Sequence, residues 1–545
     1  MRRSDRNVAP WWATSAIGLL LLTGVVISPA WSNEAQTRQV LSTPTLELDW
    51  LGHQPSPATW RASTESDSVE AQWRSFIDRD SQGRPFSRHL AIEVPGLQLT
   101  SWQIEAGDDG AIVITTESDD GDFAITMMIA EAGDYRLSLS VEVENRSAPV
   151  DDGTAPDEVR LLLGPGIGEP PVDGLGIATG LYSFVDIVGM ADGRIQRFSA
   201  SDVPGPTVLE SLAEPDWAGL HSRYFALLIK PVDTATIAHV QARYQEGDQH
   251  ASTPGAFLPT LQLSLADLPQ STGQTSWHEF TVFSGPRSRT ALSDEHSDFR
   301  DLLFPGLWEW MRMLCFALLW VLEALFALIP SWGLAIIALA LLVRLAMYPV
   351  ARRALASQQA FADVQRTIQP EISKIKQQYK GGEQSERILQ LYEQHDTSPL
   401  AGLKPLLIVL VQIPIFIALF HVLGQAYELR DAPFLWMDTL AEPDQLFHFG
   451  TELPFFGAWF NLLPVLLALS TLLTLKLSPA PAADRAAQRR QNYFLGLMTV
   501  GFFLIFYPFP SGMVLYWTAA NILHIAQSLV MRRAGNADGE TASPD

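Results

Sequence analysis

SWGLAIIALALLVRLAMYPV, residues 331–350, is an apolar run about as long as a helix needs to be to cross a bilayer, yet it carries a charge, Arg344. A guanidinium keeps its proton, and at mid-membrane it costs roughly 2.5–3.5 kcal/mol on insertion scales. If the helix leaves the membrane near Arg352, a rise of ~1.5 Å per residue puts Arg344 roughly 12 Å below that edge. Either its long stem lets the charge snorkel to the headgroups, or it faces a water-containing cavity.

Further apolar runs follow at about 402–424, 457–477, 493–509 and 511–530, and none of them contains Asp or Glu. Arg344 therefore has no obvious permanent ion-pair partner, which favours a wetted charge awaiting a transient anionic one. Residues 1–32 have a basic start and an apolar stretch, readable as a cleaved signal peptide or as a signal-anchor span. The stretch 305–330 is apolar but carries Glu309, Arg312 and Glu323, and reads as an interfacial amphipathic helix. Lys and Arg concentrate in 351–401, 478–492 and the tail 532–545, which places these in the cytoplasm. Residues 33–304 and 425–456 then lie on the far side, and both termini are cytoplasmic if the first span is retained.

The formal charge of −23 is unevenly spread. Residues 33–304 hold 41 acids against 17 bases, whereas the rest is nearly balanced, with 19 against 20. That acidic half argues against nucleic acid as a direct partner. Its two-residue alternation in AIVITTE (111–117), FAITMMIAE (123–131) and YRLSLSVEVEN (135–145) predicts strands, the last two joined by a hairpin at AGD. Pro/Gly-rich loops at 162–175 and 203–206 space further short strands. The fold class expected is a multi-pass α-helical membrane protein, with a five-helix core and an N-terminal span, joined to a large all-β sandwich domain at 33–304. The lone cysteine, Cys315, excludes an intrachain disulfide. There is no GxxxxGK[ST], HExxH or GxSxG, so neither nucleotide-driven nor hydrolytic chemistry has support.

Within 351–401, Leu355, Phe361, Val364, Ile368, Ile372, Ile375 and Tyr379 form a helical stripe. Gly381-Gly382 breaks it, and Ile388, Leu391 and Tyr392 resume it, predicting a helical hairpin. Its apolar stripe either packs the two helices together or offers a partner-binding face. Polar residues punctuate the apolar runs: Gln412, then Tyr516, Trp517, Thr518, Asn521, His524 and Gln527. The spacing of Trp517, Asn521, His524 and Gln527 predicts roughly one shared face, lining a cavity or bonding helices together. His524 alone lacks the co-ligands of a metal site.

From Arg344 onward the chain resembles the YidC/Oxa/Alb family of membrane protein insertases. The resemblance rests on VRLAMYP (343–349), IQPEISKIKQQY (368–379), LYEQHDTSPLAGLKPLL (391–407), QIPIFIALF (412–420), ELRDAPFLWMDTLAEPD (428–444) and PSGMVLYWTAANILHIAQ (510–527). WAGLHSRYFALLIKP (217–231) and FSGPR (283–287) are similar to pieces of the outer domain of the Gram-negative form. The resemblance implies an inner-membrane insertase and chaperone with a groove open to the cytoplasm and a β-supersandwich in the periplasm. Groove residues Arg344, Gln412, Tyr516 and Trp517 follow by motif, and Asn521 joins them by helical spacing. The implied partners are nascent membrane proteins, the bilayer, the ribosome and Sec translocon components; no enzyme activity, cofactor or metal is implied. SPLAGLKPLLIVLVQIP departs from the family's pattern at Ser398, Ala401, Leu403 and Lys404, with three residues added before Gln412, as in a divergent member or second copy. The alternatives are a secondary transporter or channel using Arg344 as an anion site, and a membrane-anchored carbohydrate-binding envelope protein acting through 33–300.

Overall fold

The computed structural model describes residues 38–51, 54–63, 73–77, 85, 87–146, 158–168, 184–198, 208–213, 215–233, 237–246, 257–293, 299–395, 406–454, 456–477 and 485–540. The N-terminal segment 1–32, the loop at 203–206 and the departures Ser398, Ala401, Leu403 and Lys404 lie outside them.

The acidic half forms antiparallel sheets. The largest has nine strands, ordered Arg194–Phe198, Val185–Ala191, Trp217–Ser222, Phe225–Pro231, Thr275–Pro286, Arg136–Asn145, Phe123–Gly133, Ile112–Ser118 and Leu99–Ala106. The three strands predicted from alternation are present within a residue or two. Phe123–Gly133 and Arg136–Asn145 pair as the expected hairpin, with Gly133 opposite Arg136. In Arg136–Asn145 the odd positions Leu137, Leu139, Val141 and Val143 are buried, as the pleat dictates. A five-stranded sheet (Val208–Ala213, Ile237–Glu246, Phe257–Leu265, Arg160–Leu163, Ala91–Glu93) packs across Val185–Ala191 and Trp217–Ser222.

A third sheet of four short strands (Arg38–Ser42, Leu46–Leu51, Thr59–Ser63, Trp73–Ser75) adds to the expected sandwich. Strands this short, broken by proline-rich turns, give too little periodicity to be recognised in sequence. The sheet is fastened by Trp60, which is fully buried and donates from its indole N–H to Ser284 Oγ (2.7 Å). Trp60 also meets His89 edge-on (5.7 Å). His89 is wholly buried: its Nε2 donates to the Phe76 carbonyl (2.8 Å) and its Nδ1 accepts from the Gly164 amide (2.9 Å). Burial pushes its pKa down to about 4.

Seven helices are described in the second half: α1 Glu309–Leu328, α2 Trp332–Gln378, α3 Gly382–Gln394, α4 Leu406–Gln425, α5 Leu462–Leu477, α6 Arg485–Phe506 and α7 Ser511–Glu540. Among the described residues, two stretches are long and apolar enough to cross a membrane, Glu309–Leu328 and Trp332–Val350; Gln412–Gln425, Leu462–Thr474 and Tyr493–Phe506 are shorter apolar helices. Several expected boundaries need correcting. Residues 457–460, expected to open a span, are instead the strand Gly457–Phe460, paired with Phe447–Leu453, and α5 starts only at Leu462. Helix α6 ends at Phe506 rather than 509, because Pro508 and Pro510 follow and cannot continue it. Helix α7 runs past 530 to Glu540.

The expected division between a span at 331–350 and a separate hairpin is also absent. Helix α2 is one 47-residue rod with Pro349 and Pro370 inside it, roughly 70 Å long at ~1.5 Å per residue. The hairpin itself is present. Ile368 and Ile372 of α2 pack with Leu391 and Tyr392 of α3 in a small separate core, flanked by Val364, Ile375 and Ile388. Gly381, at φ +68°, makes the reversal that a side chain would resist. The stripe thus packs the two helices on each other.

Helix α1 buries Met311, Cys315, Leu319 and Leu322 at spacings of four, four and three, and leaves Trp310, Met313 and Trp320 exposed, as is Trp308 just before it. Both of its ends are tied to the β half. Arg312 pairs with Asp301 (2.9 Å), and Glu323 Oε2 accepts from Arg289 Nε (3.1 Å).

Candidate functional site

Arg344 lies on α2, half-buried, turned to α7. Its Nε donates to Gln527 Oε1 (3.0 Å), its Nη1 to the Ala520 carbonyl (3.3 Å), and its Nη2 to His524 Nδ1. A guanidinium has no acceptor. His524 must therefore accept through Nδ1, which places its ring proton on Nε2. Among the described residues no carboxylate pairs with Arg344, so the charge is held in place by neutral groups and is not cancelled.

The other expected groove residues diverge. Trp517 stacks on Phe416 of α4 (5.1 Å, 23°) and lies 4.4 Å from Phe506 of α6. Tyr516 is buried. Gln412 is exposed on α4. Asn521 donates to Thr471 Oγ1 (2.8 Å) and Ser470 Oγ (3.3 Å) of α5, and Thr518 turns back to the Val514 carbonyl of its own helix (2.7 Å). The single shared face expected for Trp517, Asn521, His524 and Gln527 is therefore split among neighbours. At about 100° per residue, Asn521 and Gln527 stand roughly 120° apart around the axis. Helix α7 touches α2, α4 and α5, so that angle is enough to change which helix each residue meets.

The loop between α4 and α5 closes over one end of this helix group. The Gly512 amide donates to the Leu440 carbonyl (2.8 Å), the Ser511 amide to that of Glu442 (2.7 Å), and Ser511 Oγ to that of Thr439 (2.9 Å). Asp444 caps α5, its Oδ2 accepting from the amides of Leu462 (2.7 Å) and Leu463 (3.0 Å) and from the Trp436 indole (3.0 Å). Burial raises the Asp444 carboxyl pKa, against the pull of those hydrogen bonds. Gly333 of α2 lies against Phe434 so closely that an added Cβ would stand 2.1 Å from the ring.

Of two arginines not singled out as site residues, Arg223 ties the β half to α4 and this loop, and Arg287 braces the backbone at Arg223. Arg223 is buried, and donates from Nε to the Gly424 carbonyl (2.8 Å) and from Nη2 to the Ala441 carbonyl (3.0 Å). Arg287, also buried, donates to the carbonyls of Ser222 (2.6 Å), Arg223 (3.0 Å) and Leu302 (3.0 Å). Phe225 meets Tyr427 edge-on (5.7 Å), and Arg430 lies 5.1 Å over the Phe225 ring. The one advance signal was an arginine inside each of the strings HSRYFALLIKP and FSGPR.

Residues 324–538 match the model of the family described as 60Kd inner membrane protein. The chain is 27% identical over 439 residues to a protein named membrane protein insertase YidC from Janthinobacterium sp. (strain Marseille), covering 78% of this chain and 70% of that one. A protein of the same name from Anaeromyxobacter sp. (strain Fw109-5) is 31% identical over 412 residues, covering 73% and 65%. Against the Chlamydia caviae protein of that name the match spans 58% of the relative's length. A solved structure described as an active YidC insertase with its first transmembrane domain resolved aligns over 90% of this chain and 94% of its own, at 18% identity, but its TM-score of 0.33 is too low to carry an argument. By the family match, residues 324–538 belong to the family described as 60Kd inner membrane protein, and most of the chain is similar to proteins named membrane protein insertase YidC.

Proposed function

We propose that this chain is a membrane protein insertase and chaperone of the inner membrane, which eases integral membrane proteins into the bilayer without bond chemistry. The observation that carries the reading is Arg344, a permanent charge held within an apolar helix group by the neutral acceptors of α7.

In this account α2, α4, α5, α6 and α7 span the membrane, and the N-terminal segment adds a sixth span if it is retained. The rod of α2 is more than twice the ~30 Å thickness of the hydrocarbon. Its second half and α3 therefore stand in the cytoplasm and receive the nascent chain. The β half and the α4–α5 loop lie in the periplasm, and that loop closes the outer end of a groove entered from the cytoplasm. Helix α1 lies along the outer interface. Its two ion pairs are roughly 16 Å apart along the helix at ~1.5 Å per residue, and both reach the same β half, which a perpendicular crossing would not allow.

The positive charge at Arg344 attracts acidic or polar groups of the short segment to be translocated, shortening their path through hydrocarbon. Gln412, Tyr516, Trp517 and Asn521 shape the groove around it. The apolar segment then partitions into lipid, driven by burial at ~25 cal/mol per Å². The ribosome and the Sec translocon are the partners expected to deliver or share substrates. The test is insertion in a strain depleted of its own insertase. Arg344→Ala weakens insertion of substrates with acidic translocated tails; undiminished insertion by that variant sinks the reading.

A further inference from the structure

The strands Phe447–Leu453 and Gly457–Phe460 form a hairpin just before α5 whose surface the insertase reading does not use. Residues 446–460 hold five phenylalanines and a tryptophan against a single charge, Glu452. On one face Phe447 stacks on Phe460 (4.9 Å, 22°) and Phe449 meets Phe447 edge-on (5.4 Å). On the other, His448 meets Trp459 edge-on (4.8 Å). Leu446, Phe447 and Leu453 nevertheless stay exposed, at 40%, 49% and 38%.

The position of the hairpin identifies what covers these side chains. Phe456, at its turn, meets Tyr507 edge-on (4.8 Å) and reaches Phe503 (6.4 Å). Phe503 is three residues before the end of α6, about 4.5 Å inward along the axis. Tyr507 fixes the hairpin there, donating its hydroxyl to the Trp459 carbonyl (2.9 Å) and accepting from the Asn461 amide (3.2 Å). The exposed surface of α6 is apolar, with Val500, Phe502 and Ile505 exposed at 55%, 45% and 55%. The hairpin turn therefore sits level with the last turn of an apolar helix. There, aromatic and amphipathic side chains are favoured over charged ones.

We infer that the 446–460 hairpin is a wedge seated in the headgroup–acyl boundary of the outer leaflet, with phospholipid covering Leu446, Phe447 and Leu453. This rests on the reading of α6 as a membrane span. A stiff β-hairpin at this place fixes the height of the outer rim against the bilayer, a task a flexible loop would do poorly.

Because the chain has one cysteine, Cys315→Ala gives a background for single nitroxide labels. Labels at Phe447→Cys and Leu453→Cys are compared, in phosphatidylethanolamine–phosphatidylglycerol vesicles, with Val500→Cys on α6 and Glu383→Cys on α3. Power saturation with oxygen and with a water-soluble nickel chelate reads the depth of each. The expected result is oxygen-favoured relaxation at 447 and 453, between the deep label at 500 and the aqueous one at 383. Using two hairpin labels covers the loss of stacking at Phe447. Labels at 447 and 453 that behave like 383, or that are closed to both reagents as under a protein partner, overturn the wedge while 500 still reads as lipid. An aqueous reading at 500 overturns the span itself, and the wedge with it.

Discussion

Arg223, at the end of a strand, places its Nε 2.8 Å from the carbonyl oxygen of Gly424, 201 residues further on. Gly424 is in the last turn of α4, where carbonyls lack intrahelical partners and the helix dipole presents negative charge. The β half thus supplies the cap for a helix of the other half, and the second bond, to Ala441, holds the crossing loop in place.

Arg223→Ala leaves both carbonyls unpaired in a buried site, at a cost of about 2–4 kcal/mol. The expected result is a lower thermal midpoint of the detergent-solubilised chain, with Arg223→Lys recovering part of the loss because a single ammonium cannot span both acceptors. An unchanged midpoint for the alanine variant would remove the capping role.

Gly333→Ala drives a methyl group into the Phe434 ring. It is expected to destabilise the chain by about 1–3 kcal/mol, as overpacking does. Gly333→Ala combined with Phe434→Ala should cost less than the sum of the two single changes. Additive losses measured in that double-mutant cycle would show that the two sites do not touch.

His89 ties stability to pH. Its folded pKa of about 4 lies below the ordinary 6.5. Between those values the unfolded chain binds a proton that the folded chain refuses, so stability falls as pH drops from about 6.5 to 4. His89→Gln cannot titrate, and the difference between its midpoint and that of the wild type should shrink steadily over that window. A difference that does not vary with pH contradicts the assignment.

The hairpin of α2 and α3 was legible because its stripe, Ile368 to Tyr392, is strictly helical and its breaker is a glycine pair. The central strands were legible for the same reason, with a period of two. The four-stranded sheet was not: its strands carry too few alternations, and its anchor, Trp60 on Ser284, joins residues 224 apart. At the site, Arg344 was evident as a charge in an apolar run. Which residues of α7 would hold it was not, because several helices surround α7 and spacing alone does not say which one each side chain meets. Arg223 and Arg287 were obscured for a related reason: their acceptors are backbone carbonyls, which leave no mark in sequence.

His524 and Gln527 both accept from Arg344, and under the proposed function they act on substrates only through it. His524→Ala and Gln527→Ala are each expected to lower insertion of acidic-tailed substrates several-fold less than Arg344→Ala does. Added to Arg344→Ala, neither should lower it further. Arg344→Lys keeps the charge but not the three-pronged hold, and should fall between wild type and alanine. A loss in Arg344→Ala that deepens on adding His524→Ala would give the histidine a separate task.

The most direct test of the central claim is site-specific photocrosslinking to a ribosome-stalled nascent membrane protein. The photoreactive residue is placed at 412, exposed on α4 and assigned to the groove under the proposed function, or at 500, on the exposed face of α6. The account predicts adducts from 412 that weaken in Arg344→Ala and only background adducts from 500. Equal adducts from both positions, or adducts from 412 indifferent to Arg344, would contradict it.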